Sequence, residues 1–141
     1  MTPPRRVLIV DDQDIMVVSI KALLETSDEI EVVGSAWNGE EALKLVAELS
    51  PEVVLMDIDM PVMDGVEATR QIAARFPEVR VLILSGLYTP QLVDQALRVG
   101  AVSYLPKDRL SNELVDKVIA LECRESPPPS GVARETARAQ R

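Results

Sequence analysis

Val7-Leu8-Ile9-Val10, Val53-Val54-Leu55-Met56 and Val81-Leu82-Ile83-Leu84 are short aliphatic runs with no polar residue inside them. A strand with one face in water alternates apolar and polar residues, whereas a strand covered on both faces does not. These runs therefore belong in a sheet enclosed between two layers of helix. Segments 31–36 and 102–105 are weaker strand candidates. Helical patterns lie between the strands. Ile15, Val18, Leu23 and Leu24 mark the first only roughly. The second begins at Asn38, with Ala42, Leu43, Val46 and Leu49 on one face, and Asn38 stands at capping-box spacing from Glu41. The third begins at Asp64, which bears the same relation to Glu67, and its apolar face is Val66, Thr69, Ile72, Ala73 and Phe76. The fourth starts at Pro90 and ends near Gly100. The fifth takes Ser111 as its N-cap, with Leu110 and Val115 at hydrophobic-staple spacing. Five β-α units in succession predict an α/β fold, a parallel sheet with helices on both faces and right-handed crossovers.

A chain of 141 residues, 47% of them hydrophobic, can bury roughly two-thirds of its unfolded surface, so one domain forms without a disulfide or metal staple. The character changes after Glu125. Ser126-Pro127-Pro128-Pro129-Ser130-Gly131 suits neither a helix nor an inner strand. Residues 1–125 thus read as the folded domain and 126–141 as a proline-rich linker and disordered tail. No apolar run is long enough for a membrane-spanning helix, and the first residues lack the apolar core of a secretory signal. The lone Cys123 excludes an internal disulfide and fits a reducing compartment, so the expected location is cytoplasmic. Trp37 is expected to pack in the loop before the second helix.

The chain has no histidine. That excludes Ser-His-Asp and Cys-His catalysis and His-ligated zinc. Any phosphohistidine chemistry must use a partner's histidine. Up to Glu125 there are 12 basic and 22 acidic residues, a balance of −10. Phosphate contacts need lysine and arginine, so this body is a poor nucleic-acid surface.

The carboxyl end of nearly every apolar run carries a charged or reactive side chain. The first ends at Asp11-Asp12, the third at Asp57, the fourth at Ser85, and the fifth leads to Lys107. Open parallel sheets bind ligands outside the carboxyl ends of their strands. If strands one, three, four and five adjoin, these side chains converge. Neighbouring carboxylates repel by about 4 kcal/mol per pair at roughly 4 Å and an effective dielectric near 20. A divalent cation relieves that repulsion. A carboxylate pair plus a phosphoryl oxygen is a typical Mg²⁺ environment. One carboxylate is then a nucleophile towards phosphorus, lysine offers a compact positive charge, and serine a donor.

Val10-Asp11-Asp12, the segment Leu55-Met56-Asp57-Ile58-Asp59-Met60-Pro61-Val62-Met63-Asp64-Gly65, Leu84-Ser85-Gly86 and Tyr104-Leu105-Pro106-Lys107 resemble the receiver domain of bacterial two-component response regulators. The resemblance covers about residues 5–122. It implies a three-layer flavodoxin-like (βα)5 fold with a five-stranded parallel sheet in the order 2-1-3-4-5. It implies Asp57 as phosphoacceptor, Asp12 as a direct Mg²⁺ ligand, Asp11 as a ligand through water, and Asp59 as donor of a backbone carbonyl to the metal. Lys107 would pair with the phosphoryl group and Ser85 would hydrogen-bond it. Gly86 matches a small residue that keeps the site accessible, and Tyr104 matches an aromatic switch that turns inward on activation. The implied partner is a sensor histidine kinase or phosphotransfer protein. The implied function is a phosphorylation-activated switch, not an enzyme beyond its own phosphoryl transfer and slow dephosphorylation, that relays to transcription regulation through an output domain or partner.

Asp108 follows Lys107 where many receivers have proline and a cis peptide, which puts that cis bond in doubt. The Lys-Asp pair, with Ser85, is most similar to the NarL/LuxR-type branch, whose members add a C-terminal helix-turn-helix. The chain runs only a short tail beyond its fifth helix. A single-domain receiver and a piece of a longer protein both fit, and DNA contact belongs only to the longer form. A homodimer, through the first and fifth helices or the fourth-to-fifth-helix face, is a further hypothesis. Two other classes fit the residues less well. Asp57-Ile58-Asp59 is also the D-x-D pair of haloacid-dehalogenase-type phosphatases, but here the acidic pair precedes it and Pro61 replaces the threonine or valine such enzymes prefer. A phosphate-independent module of the same fold conflicts with the presence of every phosphorylation residue.

Overall fold

Each of the three aliphatic runs is a strand, and each sends alternate side chains to opposite sides of one sheet. Val7 and Ile9 enter one core with Ile20, Leu24, Leu55, Leu84, Leu114 and Val118. Leu8 and Val10 enter the other with Val46, Met56, Ile72, Ile83 and Ala96. Both cores are built of buried apolar side chains, which is why these runs carry no polar alternation. The computed structural model describes residues 3–58, 60, 65–86 and 90–121.

The element order is β1 (Arg5–Val10), α1 (Asp14–Leu24), β2 (Ile30–Ala36), α2 (Gly39–Leu49), β3 (Val53–Asp57), α3 (Gly65–Arg75), β4 (Arg80–Ser85), α4 (Pro90–Arg98), β5 (Ser103–Pro106), a 3-10 turn (Lys107–Arg109) and α5 (Leu110–Ala120). The strands are all parallel, in the order β2-β1-β3-β4-β5. Helices α2, α3 and α4 cover one face, while α1 and α5 pack together on the other. The fold is therefore the flavodoxin-like (βα)5 architecture expected. Among the described residues, no helix is long and apolar enough to cross a membrane.

Local chemistry sets several boundaries. The Asn38 side chain accepts the Glu41 backbone N–H at 2.8 Å, which satisfies one free donor at the start of α2. Ser50, with φ 50°, ends that helix in the left-handed region. The Arg6 guanidinium donates to the Leu49 and Ser50 carbonyls at 2.7 Å each, tying the end of α2 to β1. α4 begins at Pro90, and Gly100, with φ +134°, turns the chain towards β5.

Three expectations need correction. Ser111 is not the cap of α5. The chain leaves β5 through the 3-10 turn, the Leu110 N–H bonds the Lys107 carbonyl, and helical geometry is already established when Ser111 is reached. Ile15 and Val18 are not core residues, being 73% and 63% exposed. α1 is apolar nearly all round, so its sequence does not name the buried face, which runs through Ile20 and Leu24 with Met16 and Val17 partly covered. Trp37 does not pack in its loop and is 60% exposed. In keeping with the doubt that Asp108 casts on a cis bond, no cis peptide occurs among the described residues, the Lys107–Asp108 bond included. The proposed Asp64 cap, Cys123 and the 126–141 tail lie outside the described residues.

Candidate functional site

The register aligns the carboxyl ends of the central strands. Val10 pairs with Met56, Asp57 with Leu84, and Ser85 with Pro106. The residues that follow therefore meet at one end of the sheet. Asp11 and Asp57 are each 2% exposed, Ser85 is buried and Asp12 is exposed. One carboxylate oxygen from each of Asp11, Asp12 and Asp57 lies within 4.8 Å of the others. The Lys107 ammonium, brought in by the turn after β5, donates to Asp57 Oδ1 at 3.0 Å and stands 3.7 Å from Asp11 Oδ2.

The electrostatics of this cluster are unbalanced. Asp11 Oδ1 accepts the Gln13 backbone N–H at 2.9 Å, in a turn that carries the chain from β1 into α1. Asp11 Oδ2 is buried without a hydrogen-bond partner. Burial pushes the Asp11 carboxyl above its ordinary range. The Gln13 N–H, the Lys107 charge and the adjoining Asp57 carboxyl pull it down, and the Asp12 charge pushes it further up. A buried, unsatisfied oxygen among two other carboxylates fits a small hard cation. Hard cations take oxygen ligands, and Mg²⁺ completes its octahedron with water. These residues fit such an ion. Asp59, expected to add a carbonyl, lies outside the described residues.

The remaining expected residues lie around the same strand ends. Ser85 closes β4, and half-buried Gly86 follows it, with open space where a side chain would stand. Tyr104 lies on β5 opposite Ile83 and is 45% exposed. It lines a cavity of about 420 Å³ between α4 and β5, together with Ser85, Gly86, Val93 and Leu97. The structure thus gathers Asp11, Asp12, Asp57 and Lys107 into one cluster and puts Ser85 and Tyr104 on the wall of one cavity beside them. Two contributors escape a reading of side-chain types: the backbone N–H of Gln13, and Gly65, whose backbone abuts Asp57. Only the Asp-x-Gln and Asp-Gly spacing signals them.

The family model described as response regulator receiver domain matches residues 7–119. The transcriptional regulatory protein LnrK of Bacillus subtilis is 40% identical over 116 residues, 82% of this chain and 53% of LnrK. The transcriptional regulatory protein LiaR of the same organism is 38% identical over 128 residues, 91% of this chain and 61% of LiaR. The chain thus spans a little over half the length of these curated relatives. Among solved structures, the signal receiver domain of NarL from Mycobacterium tuberculosis is 34% identical, with a TM-score of 0.79, over 84% of this chain and 95% of that one.

Proposed function

The chain belongs to the response regulator receiver domain family, and on that premise we propose that it is a phosphorylation-driven switch whose phosphoacceptor is Asp57. The observation that carries this reading is the Lys107 ammonium 3.0 Å from Asp57 Oδ1, with two further carboxylates within 4.8 Å. A buried carboxylate held by one lysine and facing an unsatisfied acidic neighbour is arranged to receive an anion together with a cation.

The phosphoryl group comes from a partner's histidine, since this chain has none. An Asp57 carboxylate oxygen attacks phosphorus. The new O–P bond forms as the partner's N–P bond breaks, and the departing imidazole nitrogen keeps the electron pair. Asp12 would hold Mg²⁺ directly and Asp11 through water, with Asp57 and the Asp59 carbonyl completing the set. When bound, the ion offsets the charge that gathers on the phosphoryl oxygens. Lys107 pairs with Asp57 before transfer and with a phosphoryl oxygen afterwards. The Ser85 hydroxyl donates to another oxygen, and Gly86 leaves the approach open. The aspartyl phosphate adds up to about two negative charges and three acceptor oxygens. Ser85 moving towards it frees room in the 420 Å³ cavity, and the Tyr104 ring turns into that room, changing the surface of α4, β5 and α5.

Residues 1–125 are the switch and 126–141 the linker, in a cytoplasmic protein that catalyses only its own phosphoryl transfer and slow dephosphorylation. The partner is a sensor histidine kinase or phosphotransfer protein. The transcriptional regulators among the relatives support transcription control as output, through a further domain or a partner, with homodimerisation as one means. The acidic body supports no direct contact with nucleic acid. Intact mass after incubation with Mg²⁺ and a small acyl phosphate tests the reading. One added phosphate in the wild type and none in folded Asp57→Asn is the expected result. Equal uptake by the variant removes Asp57 from its role.

A further inference from the structure

Gly65 opens α3, and its position is explained neither by helix propensity nor by backbone conformation. Glycine in a helix is less favourable than alanine by about 1 kcal/mol. Gly100, not Gly65, is the described glycine with a positive φ. The demand at Gly65 is space. A Cβ there would lie 2.5 Å from the Asp57 carbonyl oxygen and 2.7 Å from Ile58 Cα. Both are backbone atoms of the strand end that carries Asp57, so neither can swing aside as a side-chain tip does.

The helix cannot retreat to make room. Ala68 and Ile72, one and two turns on, are fully buried in the core with Val54, Met56 and Ile58. Thr69, also fully buried, donates its hydroxyl to the Gly65 carbonyl at 2.6 Å. The strand is held on its other side, where the Ile58 N–H bonds the Leu84 carbonyl at 3.2 Å and Asp57 pairs with Leu84. The Asp57–Ile58 peptide is therefore clamped between α3 and β4, and the clamp closes only around a residue with no side chain.

We propose that Gly65 is a positioning residue for Asp57: its bare backbone, fastened by Thr69, sets how far the Asp57 carboxylate reaches towards Lys107 and the Asp11–Asp12 pair. The inference rests on Asp57 being the phosphoacceptor. An alanine at 65 displaces the strand end, and with it both the 3.0 Å contact to Lys107 and the 4.8 Å carboxylate cluster. Displacements near 1 Å at a reacting group cost up to about 100-fold in rate.

The control is Gly100→Ala. There a Cβ would lie 2.4 Å from Ala73 Cβ at φ +134°, a strained substitution at the amino end of β5, away from the site. Acyl-phosphate uptake by intact mass, Mg²⁺ affinity by calorimetry and melting temperature are measured on wild type, Asp57→Asn, Gly65→Ala and Gly100→Ala, at a temperature where all are folded. The expected result is an uptake rate about 10- to 100-fold lower in Gly65→Ala, with weaker Mg²⁺ binding. Gly100→Ala loses melting temperature but keeps both site properties. If both glycine variants lose stability while uptake and Mg²⁺ affinity stay at wild-type values, Gly65 is only structural and the inference falls. If the wild type takes no phosphate on Asp57, the functional reading falls instead. Should Gly65→Ala not fold, Thr69→Val carries the test, because it keeps the glycine and removes the bond that fastens it. Uptake several-fold slower at a near-wild-type melting temperature is then expected, and an unchanged rate overturns the proposal.

Discussion

Asp11→Asn should make the metal-free protein more stable. The Asp11 charge meets two like charges within 4.8 Å and one opposite charge at 3.7 Å. At an effective dielectric near 20, each repulsion is about 3.5 kcal/mol and the attraction to Lys107 about 4.5 kcal/mol. Asp12 is exposed, so water screens more than half of its share. The buried Oδ2 also has no hydrogen bond to offset its lost hydration. The pairwise energies thus nearly cancel, and the uncompensated burial of Oδ2 leaves the charge unfavourable by about 1–2 kcal/mol. The asparagine keeps an oxygen for the Gln13 N–H and removes the charge. In chelator near neutral pH, urea unfolding should show a higher midpoint at unchanged slope, and the melting temperature should rise by roughly 4–8 °C.

The pH dependence follows from the same shift. The folded-state pKa of Asp11 lies above its ordinary value of 3.8. Between those two values the folded chain binds more protons than the unfolded chain, so wild-type stability falls as pH rises through that interval. The variant has no such group. Its advantage is absent below the ordinary value, opens as pH rises and is complete above the folded pKa. Mg²⁺ reverses the order, because an ion at about 100 times its Kd adds about 2.7 kcal/mol to a protein that binds it, and the variant binds it less well. A variant less stable than wild type in chelator would refute the reasoning, since the Lys107 attraction would then outweigh both repulsions and the burial.

Further predictions concern separate parts of the molecule. Lys107→Met should slow acyl-phosphate uptake by about 100-fold or more, as loss of a charged donor at a reacting group does, yet tighten Mg²⁺ binding, because one cation no longer repels another. Mass and calorimetry read the two opposite changes, and a parallel loss of both would contradict the assigned role. Asn38→Ala should cost about 1 kcal/mol through the lost cap on the Glu41 N–H, seen as a lower urea midpoint with uptake unchanged. Leu82→Ala, at a fully buried position of the central sheet, should cost about 2–5 kcal/mol by the same measurement.

The sheet was legible because its signal is local. Val7–Val10 and Val81–Leu84 are uniformly aliphatic, and only a strand with two buried faces tolerates that pattern. The Asn38 cap and the Pro90 start were legible for the same reason, since the groups involved sit within one turn of each other. The residue types at the strand ends announced the chemistry, and the order 2-1-3-4-5 came with the family resemblance rather than with the pattern.

What the tertiary structure alone decided concerns groups far apart along the chain. Periodicity in α1 is ambiguous, and only packing against β1 and α5 selects Ile20 and Leu24 over Ile15 and Val18. The start of α5 depends on how the chain turns out of β5, which displaced the cap expected at Ser111. Lys107 and Asp57 are 50 residues apart, and their 3.0 Å contact exists because β1, β3, β4 and β5 stop at one level. The orphaned oxygen of Asp11 and the pressure of Gly65 on the Asp57 peptide follow from that same closure. Sequence specifies which groups a strand end presents. Their distances and burial, and so their charge balance, arise only when separate strands and helices pack.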